Sequence, residues 1–405
     1  MDERISDATL ERDAAAPARA PRVERAVARL RQAAARLKAL DGWIELAFQD
    51  AAQSWFVNGA AGEVTHRRPA TDPLAVIAIS PDNLVRLIDC QLDPRSGLLF
   101  GQMKVTGRVA AAMRFCDAAA GAERRAADYD AEALPRPTRD LARAKQDLAR
   151  FGYCLVEGAL PPAKVAALRT RLREQAEGEA AAGVASYDGG PGGPNQRVWA
   201  LINKGQEFID LLEEPLIDEF VPDLLGDHSI IFSYSANIAG PGGQPQILHY
   251  DQISVQPPVP DVMIGLNIAW FLDDVTAANG GTRIAPCSGE RGMAPDNPFS
   301  IEGTVAAEGS AGTALLWDSR VWHGTGPNTA DVLRHVVLLY FNRHFMRAQE
   351  NFSLSLRDDV KTGLSDRIKT MLGFRVTNTL GGVEGPKEGT LVDRPAEPVG
   401  RLGPA

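Results

Sequence analysis

The chain has 405 residues, of which 44% are hydrophobic and 23% charged, the composition of a globular protein with room for two or three domains. Asp and Glu outnumber Lys and Arg by 52 to 43, and the resulting net charge of −9 argues against a general nucleic-acid binder. The four cysteines are far apart and form no CxxC pair, which argues against a disulfide framework and a thiolate zinc site.

The two ends of the chain carry no targeting signal that we recognise. The first twenty residues mix acidic and basic side chains and lack an apolar signal core. The last three, Gly403-Pro404-Ala405, match no peroxisomal or reticulum tag. No apolar run approaches the length of a membrane-spanning helix. We therefore expect a cytoplasmic protein without integral membrane association, which starts with a disordered arm over residues 1–23.

The next hundred residues predict a small α+β unit. Val23, Val27, Leu30 and Leu37 recur at the three- and four-residue steps of an amphipathic helix. Strand-like runs and a Pro-Asp helix start follow, and a turn at Leu92–Gly97 precedes the last strand. The predicted strands are Trp43–Phe48, Ser54–Val57, Glu63–His66, Leu74–Ser80 and Gly101–Gly107, and the predicted helices that follow the first are Pro81–Ile88 and Val109–Ala119.

The order of these elements, together with two short motifs, resembles the sterol carrier protein 2-like lipid-binding domain over residues 24–121. An Asp-Pro turn in Cys90–Pro94 leads into a Gly-x-x-Lys-x-x-Gly strand, Gly101–Gly107, and a closing helix. The resemblance implies an apolar tunnel under the sheet that can hold an acyl chain or a sterol. The alternative is a packed core without a cavity, in which case the domain would serve in docking or dimerisation.

A linker with spaced prolines, residues 122–139, separates this unit from a second and longer region. That region starts with helical and strand-like segments and then alternates short strands with Gly- and Pro-rich turns, as an all-β barrel or sandwich does. A Gly-rich stretch inside it lacks the Lys-Ser/Thr of a phosphate loop and predicts a mobile loop. The segments are a helix at Asp140–Arg150, a strand at Phe151–Val156, a helix at Pro161–Glu177, the Gly-rich loop at 178–195, the strand-rich part from Ile230 to Phe345, and a C-terminal tail at 386–405.

Two of the six histidines stand in a pattern that suits a metal site. In a strand, side chains two residues apart point to the same face, so His249 and Asp251 would project together. His323, delivered by an apolar strand to a Gly-rich turn, would supply a second imidazole. Two His and one carboxylate form the facial triad that binds Fe(II) and leaves positions open for substrates and oxygen. For the His-x-Asp pattern alone, a surface pair is the alternative.

Arg334 starts an apolar strand eleven residues after His323. A guanidinium can pair with a carboxylate through two parallel hydrogen bonds. 2-Oxoglutarate offers such a distal carboxylate, while its keto-acid end chelates iron. The spacing from His323 favours this role over a salt bridge at the rim. His335, the next residue, would point the opposite way and predicts a packing residue.

Ordered motifs across residues 140–385 resemble the phytanoyl-CoA dioxygenase family of Fe(II)/2-oxoglutarate oxygenases. The resemblance implies an all-β double-stranded β-helix (jelly-roll) core with flanking helices, which follows the α+β sterol-carrier-like domain. Two departures are Cys287, which stands where the family usually has Gly, and Gly289, which stands where it has His, so the backbone turn there is expected to differ. The matching motifs are Phe151-Gly152-Tyr153, Val156–Leu160, His249–Gln252, Trp270–Asp274, Asn279–Thr282, Pro286–Gly289 and Trp322–Gly326 through Arg334.

The resemblance also implies roles for individual residues. His249, Asp251 and His323 would bind Fe(II) and so carry the catalysis, with 2-oxoglutarate and O2 as cosubstrates. Arg334 would bind the distal carboxylate of 2-oxoglutarate, and Thr325 would hydrogen-bond the same group. The further predicted cosubstrate contacts are Asn267, Trp270 and Lys204, for which core packing of Trp270 and a turn hydrogen bond of Asn267 are the alternatives.

Together these observations predict an oxygenase whose N-terminal domain binds a lipophilic substrate that the jelly roll hydroxylates. The expected substrates of lipid or secondary metabolism are acyl, sterol, terpenoid or polyketide-type molecules, either free or as thioesters of CoA or a carrier protein. Halogenating relatives replace the carboxylate of Asp251 with a small residue, so halogenation is not expected here. Desaturation, cyclisation and the oligomeric state stay open. The alternatives are a lipid-binding or transfer protein with a non-catalytic jelly roll, and a zinc hydrolase that uses the same three ligands.

Overall fold

The structure is a computed structural model, and it describes residues 20–38, 40–49, 53–122, 129–188, 190, 192–255, 257, 259, 261–290, 293–385 and 387–393. These residues form two compact units. The first contains the described residues up to 122 together with 255, 257 and 259, and the second contains the others. Of the predicted disordered arm, residues 1–19 lie outside the described chain, and a helix begins at Ala20. Among the described residues, no helix has both the length and the apolar character needed to cross a membrane.

The first unit is a mixed five-stranded sheet with helices on one face. The strand order is β3-β2-β1-β4-β5, with β1 and β4 parallel and the other neighbours antiparallel. Alternate residues of β1, such as Leu46, are buried against apolar positions of α1, such as Leu30, as the period-two and helical patterns require. The elements are α1 Ala20–Ala33, a 3₁₀ turn Ala34–Leu37, β1 Trp43–Phe48, β2 Gln53–Asn58, β3 Glu63–Thr65, β4 Ala75–Ile79, α2 Pro81–Ile88, α3 Pro94–Leu99, β5 Met103–Gly107 and α4 Val109–Ala120.

The segment predicted as a turn at Leu92–Gly97 instead contains helix α3. The side chain of Asp93 accepts a hydrogen bond from Ser96 N at 2.7 Å, and Pro94 occupies the first helical position, so this short sequence holds a complete helix start. Arg95 then lies buried against Asp117 of α4, with two hydrogen bonds of 2.7 and 2.9 Å. The expected turn residues therefore also supply a buried ion pair.

The second unit contains a seven-stranded antiparallel sheet of order β6-β13-β10-β15-β9-β8-β7 and a three-stranded sheet of order β12-β11-β14. The elements are a 3₁₀ turn Ala131–Ala133, α5 Leu141–Phe151, β6 Tyr153–Val156, α6 Pro162–Ala181, β7 Ser186–Asp188, β8 Asn195–Val198, a 3₁₀ turn Leu201–Asn203, α7 Gln206–Leu211, α8 Pro215–Leu225, β9 Ile230–Ala239, a 3₁₀ turn Asp251–Ser254, β10 Gly265–Phe271, β11 Arg283–Ile284, β12 Val305–Ala306, β13 Ala314–Asp318, β14 His323–Gly324, β15 Arg334–Asn342, α9 Phe352–Ser355, α10 Asp358–Gly363 and α11 Asp366–Met371.

The strand register assigns each residue of the large sheet to one of two faces. Asn267 of β10 is paired with Tyr340 of β15 and with Trp317 of β13, and cross-strand partners share a face. Because side chains alternate along a strand, Arg334 lies on the same face as Tyr340. We call this the site face. The other face, which includes Trp270, belongs to the main apolar core that it forms with the helices.

Two backbone predictions for the second unit are wrong. The Gly-rich stretch 178–195 is not one loop, because α6 continues to Ala181 and β7 and β8 pair as an antiparallel hairpin. Nor do His249 and Asp251 share a strand. His249 forms a single bridge with His323, and Asp251 opens the 3₁₀ turn.

Candidate metal centre

Three side chains converge at the site face with ligand atoms suited to a cation. One donor atom each of His249, Asp251 and His323 lies within 4.8 Å of the other two. Asp251 Oδ1 is 3.7 Å from His249 Nε2, and Asp251 Oδ2 is 3.4 Å from His323 Nε2. Each carboxylate oxygen therefore faces one imidazole, and two nitrogens and a carboxylate are the donor set of a facial triad.

Both imidazoles are oriented by their second nitrogen. His249 Nδ1 lies 3.0 Å from Ile247 O, and His323 Nδ1 lies 2.9 Å from Val321 O. Because a carbonyl only accepts, the neutral rings carry their proton on Nδ1, and the lone pair of Nε2 points to the centre. Burial lowers the pKa of His323 to about 4, so this ring is neutral at physiological pH, as a metal ligand must be.

The backbone brings the two histidines together. His249 N donates to His323 O at 2.9 Å, and His323 N donates to His249 O at 2.8 Å. The ring centroids are 4.5 Å apart. This reciprocal pair joins two chain segments that are distant in sequence, and it replaces the continuous strand that the His-x-Asp pattern predicted.

The segment that carries Asp251 is held by its neighbour. Gln252 N donates to Ser319 O at 3.0 Å, and Ser319 Oγ donates to Gln252 Oε1 at 3.0 Å. Ser319 belongs to the turn between β13 and His323, so the carboxylate and the second histidine are tied to each other through this pair. Asn267 Nδ2 donates to Asp251 Oδ2 at 2.7 Å and fixes the carboxylate itself.

Arg334 is buried on the site face with few partners. It is 2% exposed, and Nη2 donates to Gly280 O at 2.6 Å. Within the described chain its Nε has no hydrogen-bond partner. Burial, together with the positive charge of Arg197, lowers the pKa of Arg334 to about 9. A buried cation with free donors is costly for a protein unless an anion completes it.

A glycine turn covers the guanidinium. Gly280 has a φ of +88°, and a Cβ placed there would lie 3.5 Å from Gly326 O and 3.6 Å from Arg334 Nη2. A Cβ on Gly326 would lie 2.4 Å from Gly281 O. The two glycine segments therefore pack directly on each other, and they place the guanidinium beside the chain that follows Thr325.

Thr325 is 8% exposed, and its backbone is paired with Gln246. Thr325 N donates to Gln246 Oε1 at 3.2 Å, and Gln246 N donates to Thr325 O at 2.9 Å. Gln246 therefore fixes the backbone of Thr325.

Two predicted cosubstrate contacts do not face the site. Trp270 is fully buried on the opposite face of β10, because it is three residues from Asn267 and strand side chains alternate. Lys204 Nζ instead donates to Glu179 of α6 at 2.7 Å, and its backbone carbonyl accepts from Arg171. These two predictions are contradicted by the structure, whereas Asn267 contacts a predicted metal ligand.

His335 has a specific partner rather than a purely packing role. Asp273 Oδ2 lies 2.7 Å from His335 Nδ1 and accepts from His335 N at 2.8 Å. Burial alone would raise the pKa of Asp273, but hydrogen bonds from His335 and Arg169 outweigh it, so the pKa lies below its ordinary value. The pair lies at the start of β15, where His335 directly follows Arg334 in the sequence.

Sequence reasoning missed two polar residues of the site face. Asn237 is 2% exposed, and neither atom of its amide has a partner within the described chain. Its register partners are Val336 of β15 and Arg197 of β8, which place Asn237 and Arg197 on the site face near Arg334. A usable signal was present in β9, where Ser233, Ser235 and Asn237 alternate with apolar residues in a strand that is otherwise core-like.

Comparison with known proteins gives two family matches. Residues 148–336 match the phytanoyl-CoA dioxygenase (PhyH) family, and residues 23–119 match the SCP-2 sterol transfer family. Both resemblances drawn from the motifs are thereby confirmed.

The similar proteins include fungal dioxygenases. The dioxygenase af480 of Aspergillus fumigatus is 30% identical over 256 residues, which cover 60% of this chain and 82% of the relative. The dioxygenase ALT11 of Alternaria alternata is 27% identical over 59% of this chain and 83% of the relative. Among solved structures, HygX from Streptomyces hygroscopicus with nickel, 2-oxoglutarate and hygromycin B bound has 13% identity and a TM-score of 0.42, over 51% of this chain and 89% of that one.

Proposed function

The chain belongs to the phytanoyl-CoA dioxygenase family, and on that premise we propose that it is an Fe(II)- and 2-oxoglutarate-dependent oxygenase. The observation that carries the proposal is the convergence of His249, Asp251 and His323 on a sheet face that also presents Arg334. The three residues supply the donor set of an open iron site, and the guanidinium supplies a buried partner for a carboxylate.

The residues present fit a divalent cation and 2-oxoglutarate. The Nε2 lone pairs of His249 and His323 face the same point as the two oxygens of Asp251, so a divalent cation can take one atom from each. Arg334 Nε, which has no partner among the described residues, is a buried donor that a distal carboxylate of 2-oxoglutarate would satisfy. When bound, iron with 2-oxoglutarate and O2 supplies the oxidant, with release of succinate and CO2.

The side chains and backbone of this protein would bind and orient the cation and the cosubstrate. Asn267 fixes the rotation of the Asp251 carboxylate, and the carbonyls of Ile247 and Val321 fix the two imidazoles. Arg334 and Thr325 would hold the distal carboxylate of 2-oxoglutarate. Asn237, whose amide has no partner within the described chain, and Arg197, which is paired with Asp188, lie one register row away and would face its remaining polar atoms.

The site face between these polar groups is apolar. Ala269 and Leu315 are fully buried on the site face, and Val336 is 1% exposed. Beside such an apolar wall, electrostatic contacts are stronger than in water.

We further propose that the two sheets of the second unit are the halves of a double-stranded β-helix over residues 140–385. Its support is the antiparallel order of the seven strands and the bridge between His249 and His323. With it we keep the predicted domain limits of 24–121 for the sterol-carrier-like domain and 122–139 for the linker.

For the substrate we propose a lipophilic molecule of acyl, sterol, terpenoid or polyketide type, oxidised by hydroxylation. The support is the N-terminal match to the SCP-2 sterol transfer family, whose presence suits a substrate that needs an apolar carrier. Two linked binding modules would also raise the local concentration of the substrate at the iron site.

An anaerobic titration tests the proposal. Fe(II) and 2-oxoglutarate together should produce a visible charge-transfer band in the full-length protein, and O2 should then release succinate. His323→Ala should abolish both signals, and the control Lys204→Ala should keep them, because Lys204 pairs with Glu179 outside the site. No band in the wild-type protein would contradict the proposal and favour a lipid carrier with a non-catalytic second unit.

The substrate class needs a separate experiment. We expect that one of a set of acyl thioesters, sterols, terpenoids and polyketide-like acids raises 2-oxoglutarate turnover of the full chain, with a gain of 16 Da in the product for hydroxylation. A loss of 2 Da would indicate desaturation or ring formation instead. Native mass spectrometry of the same protein should detect a bound lipid.

A further inference from the structure

We propose that Asp273 and His335 form a positioning pair that aims Arg334 at the cosubstrate, an inference that rests on the proposed function. Arg334 is the first residue of β15, and His335 follows it on the opposite face of the sheet. Asp273 lies two residues beyond the end of β10, the neighbouring strand. The pair therefore stands where the regular pairing of these two strands ends.

At this point a side-chain acceptor replaces a backbone carbonyl in the hydrogen-bond ladder between β10 and β15. β10 and β15 are paired as far as Phe271 and Val336, and Leu272 N donates to His335 O at 3.0 Å. The next donor of the ladder, His335 N, finds its acceptor in Asp273 Oδ2 at 2.8 Å. The same oxygen lies 2.7 Å from His335 Nδ1. One carboxylate oxygen thus fixes both the backbone and the ring of the residue that follows Arg334.

The carboxylate is itself anchored to a helix. Arg169 Nη1 of α6 lies 3.1 Å from Asp273 Oδ1, so the two oxygens of Asp273 have different partners. On its other side β15 is held by β9, where Arg334 is in register with Ala239. The start of β15 therefore depends on β9 at one edge and on Asp273 at the other.

The position of Arg334 depends on this anchoring of β15 because its guanidinium makes few described hydrogen bonds. The described hydrogen bond of the group is the one from Nη2 to Gly280 O, and Nε has no described partner. Two parallel hydrogen bonds to a carboxylate demand a defined guanidinium plane. Without the Asp273 carboxylate, the buried His335 N–H would lose its acceptor, and the peptide that carries Arg334 would shift to find another.

The expected effect is confined to the carboxylate pocket. Asn267, which contacts Asp251, is in register with Tyr340, six residues along β15 from Arg334. A change at Asp273 should therefore weaken 2-oxoglutarate binding about tenfold, the size found for residues that orient a primary ligand, and leave Fe(II) binding unchanged.

The test compares Asp273→Ala with Asp274→Ala in the full-length, Fe(II)-loaded protein under anaerobic conditions. Asp274 is the matched control, because it is in the same turn but accepts from Ala311 N at 2.9 Å, away from β15. The dissociation constant of 2-oxoglutarate, measured from the charge-transfer band, should rise about tenfold in Asp273→Ala and stay near wild type in Asp274→Ala. Asp273→Asn, which keeps an oxygen for His335 N, should recover most of the affinity.

Pyruvate separates positioning from general damage, since it chelates iron through the same keto-acid group but has no distal carboxylate. Asp273→Ala should bind pyruvate as the wild type does. In an Arg334→Met background, Asp273→Ala should have no additional effect on 2-oxoglutarate, as expected when one residue acts through the other. An equal loss for both keto acids, or full additivity in the double variant, would overturn the proposal.

If Asp273→Ala does not fold, His335→Ala provides the same comparison, because it removes the ring contact and leaves the backbone hydrogen bond. A rise in the dissociation constant for 2-oxoglutarate but not for pyruvate would support the proposal, and no change for either would overturn it. If the wild-type protein binds 2-oxoglutarate and none of these substitutions changes that binding, only this inference is contradicted. A wild-type protein without the band contradicts the proposed function.

Discussion

Asn267 Nδ2 donates to Asp251 Oδ2 at 2.7 Å, and that oxygen also lies 3.4 Å from His323 Nε2. A residue of the central sheet thus holds the one acidic group of the triad. Because Asp251 sits in a 3₁₀ turn rather than in a strand, its carboxylate has no strand geometry to orient it. The amide of Asn267 supplies that orientation from β10.

We therefore expect Asn267→Ala to lower Fe(II) affinity by about tenfold, the usual effect of losing a partner that orients a metal ligand. Trp270→Phe is the matched control on the same strand. It should reduce stability by about 1 kcal/mol, because it leaves a cavity in the core on the other face, without changing metal affinity. Competition with a fluorescent chelator measures the affinity, and equal affinities in Asn267→Ala and wild type would disprove the role.

Glu350 gives a prediction about pH. Its carboxylate accepts from Tyr234 N at 2.5 Å, and burial raises its pKa to about 7. Between the ordinary value near 4.5 and 7, the folded state binds more protons than the unfolded state, so stability should fall as the pH rises through this range. Glu350→Gln keeps an acceptor oxygen without the charge.

We expect Glu350→Gln to be more stable than the wild type by about 2 kcal/mol at pH 8 and nearly equal to it at pH 4.5. Urea unfolding at pH 4.5, 6, 7 and 8 measures the difference. A difference that is constant over this range would show that Glu350 does not titrate on unfolding.

The sequence predicted the members of the triad but not the backbone that brings them together. The spacing of His249 and Asp251 suggested one strand, whereas the ladder at His249 is a single bridge and the chain then turns, because Gln252 is tied to Ser319. Side-chain hydrogen bonds between distant segments decide such a turn, and no local periodicity reports them.

The predicted contacts to the cosubstrate also depended on long-range structure that the sequence does not reveal. The sequence predicts Lys204 as a second carboxylate contact, but the cation on the site face is Arg197, since the β8–β9 register places it beside Asn237. Register depends on pairing across the sheet and is not visible in a single segment. In contrast, the α+β unit followed its own local patterns, because its strands alternate regularly and Ser80 and Asp93 cap its helices.

Cys287 has a left-handed backbone conformation, which glycine adopts more readily than other residues. Its φ is +61°, a left-handed value that is unfavourable for a residue with a side chain. The residue therefore carries backbone strain. The next residue, Ser288, accepts from Trp322 N at 2.8 Å, so the turn supports the chain that leads to His323.

We predict the order of stability Cys287→Gly, wild type, Cys287→Val, with the valine variant about 1–2 kcal/mol below the wild type because a β-branched residue fits this φ worst. Cys154→Val is the control, since Cys154 lies in strand β6, where valine is conformationally favourable. Thermal unfolding gives the order, and a stable Cys287→Val variant would refute the strain.

We expect the ligand-free protein to become more stable when Arg334 is replaced. Its side chain is buried, and burial lowers the pKa of its guanidinium to about 9. Its hydrogen bond to Gly280 O offsets only part of that cost. Arg334→Met fills a similar volume without a charge, so we expect the free energy of unfolding of the ligand-free protein to rise by about 2 kcal/mol.

The same substitution should remove the stabilisation that 2-oxoglutarate gives. In the wild type with Fe(II), saturating 2-oxoglutarate should raise the melting temperature, because the ligand binds only the folded state. In Arg334→Met that rise should disappear while the effect of Fe(II) alone persists. Arg283→Met is the control, since Arg283 donates to Thr304 Oγ1 at 2.9 Å and to Thr304 O at 2.6 Å, and its loss should destabilise the protein. A ligand-free Arg334→Met variant that is less stable than the wild type would show that the guanidinium is structural, and a retained response to 2-oxoglutarate would place the carboxylate pocket elsewhere.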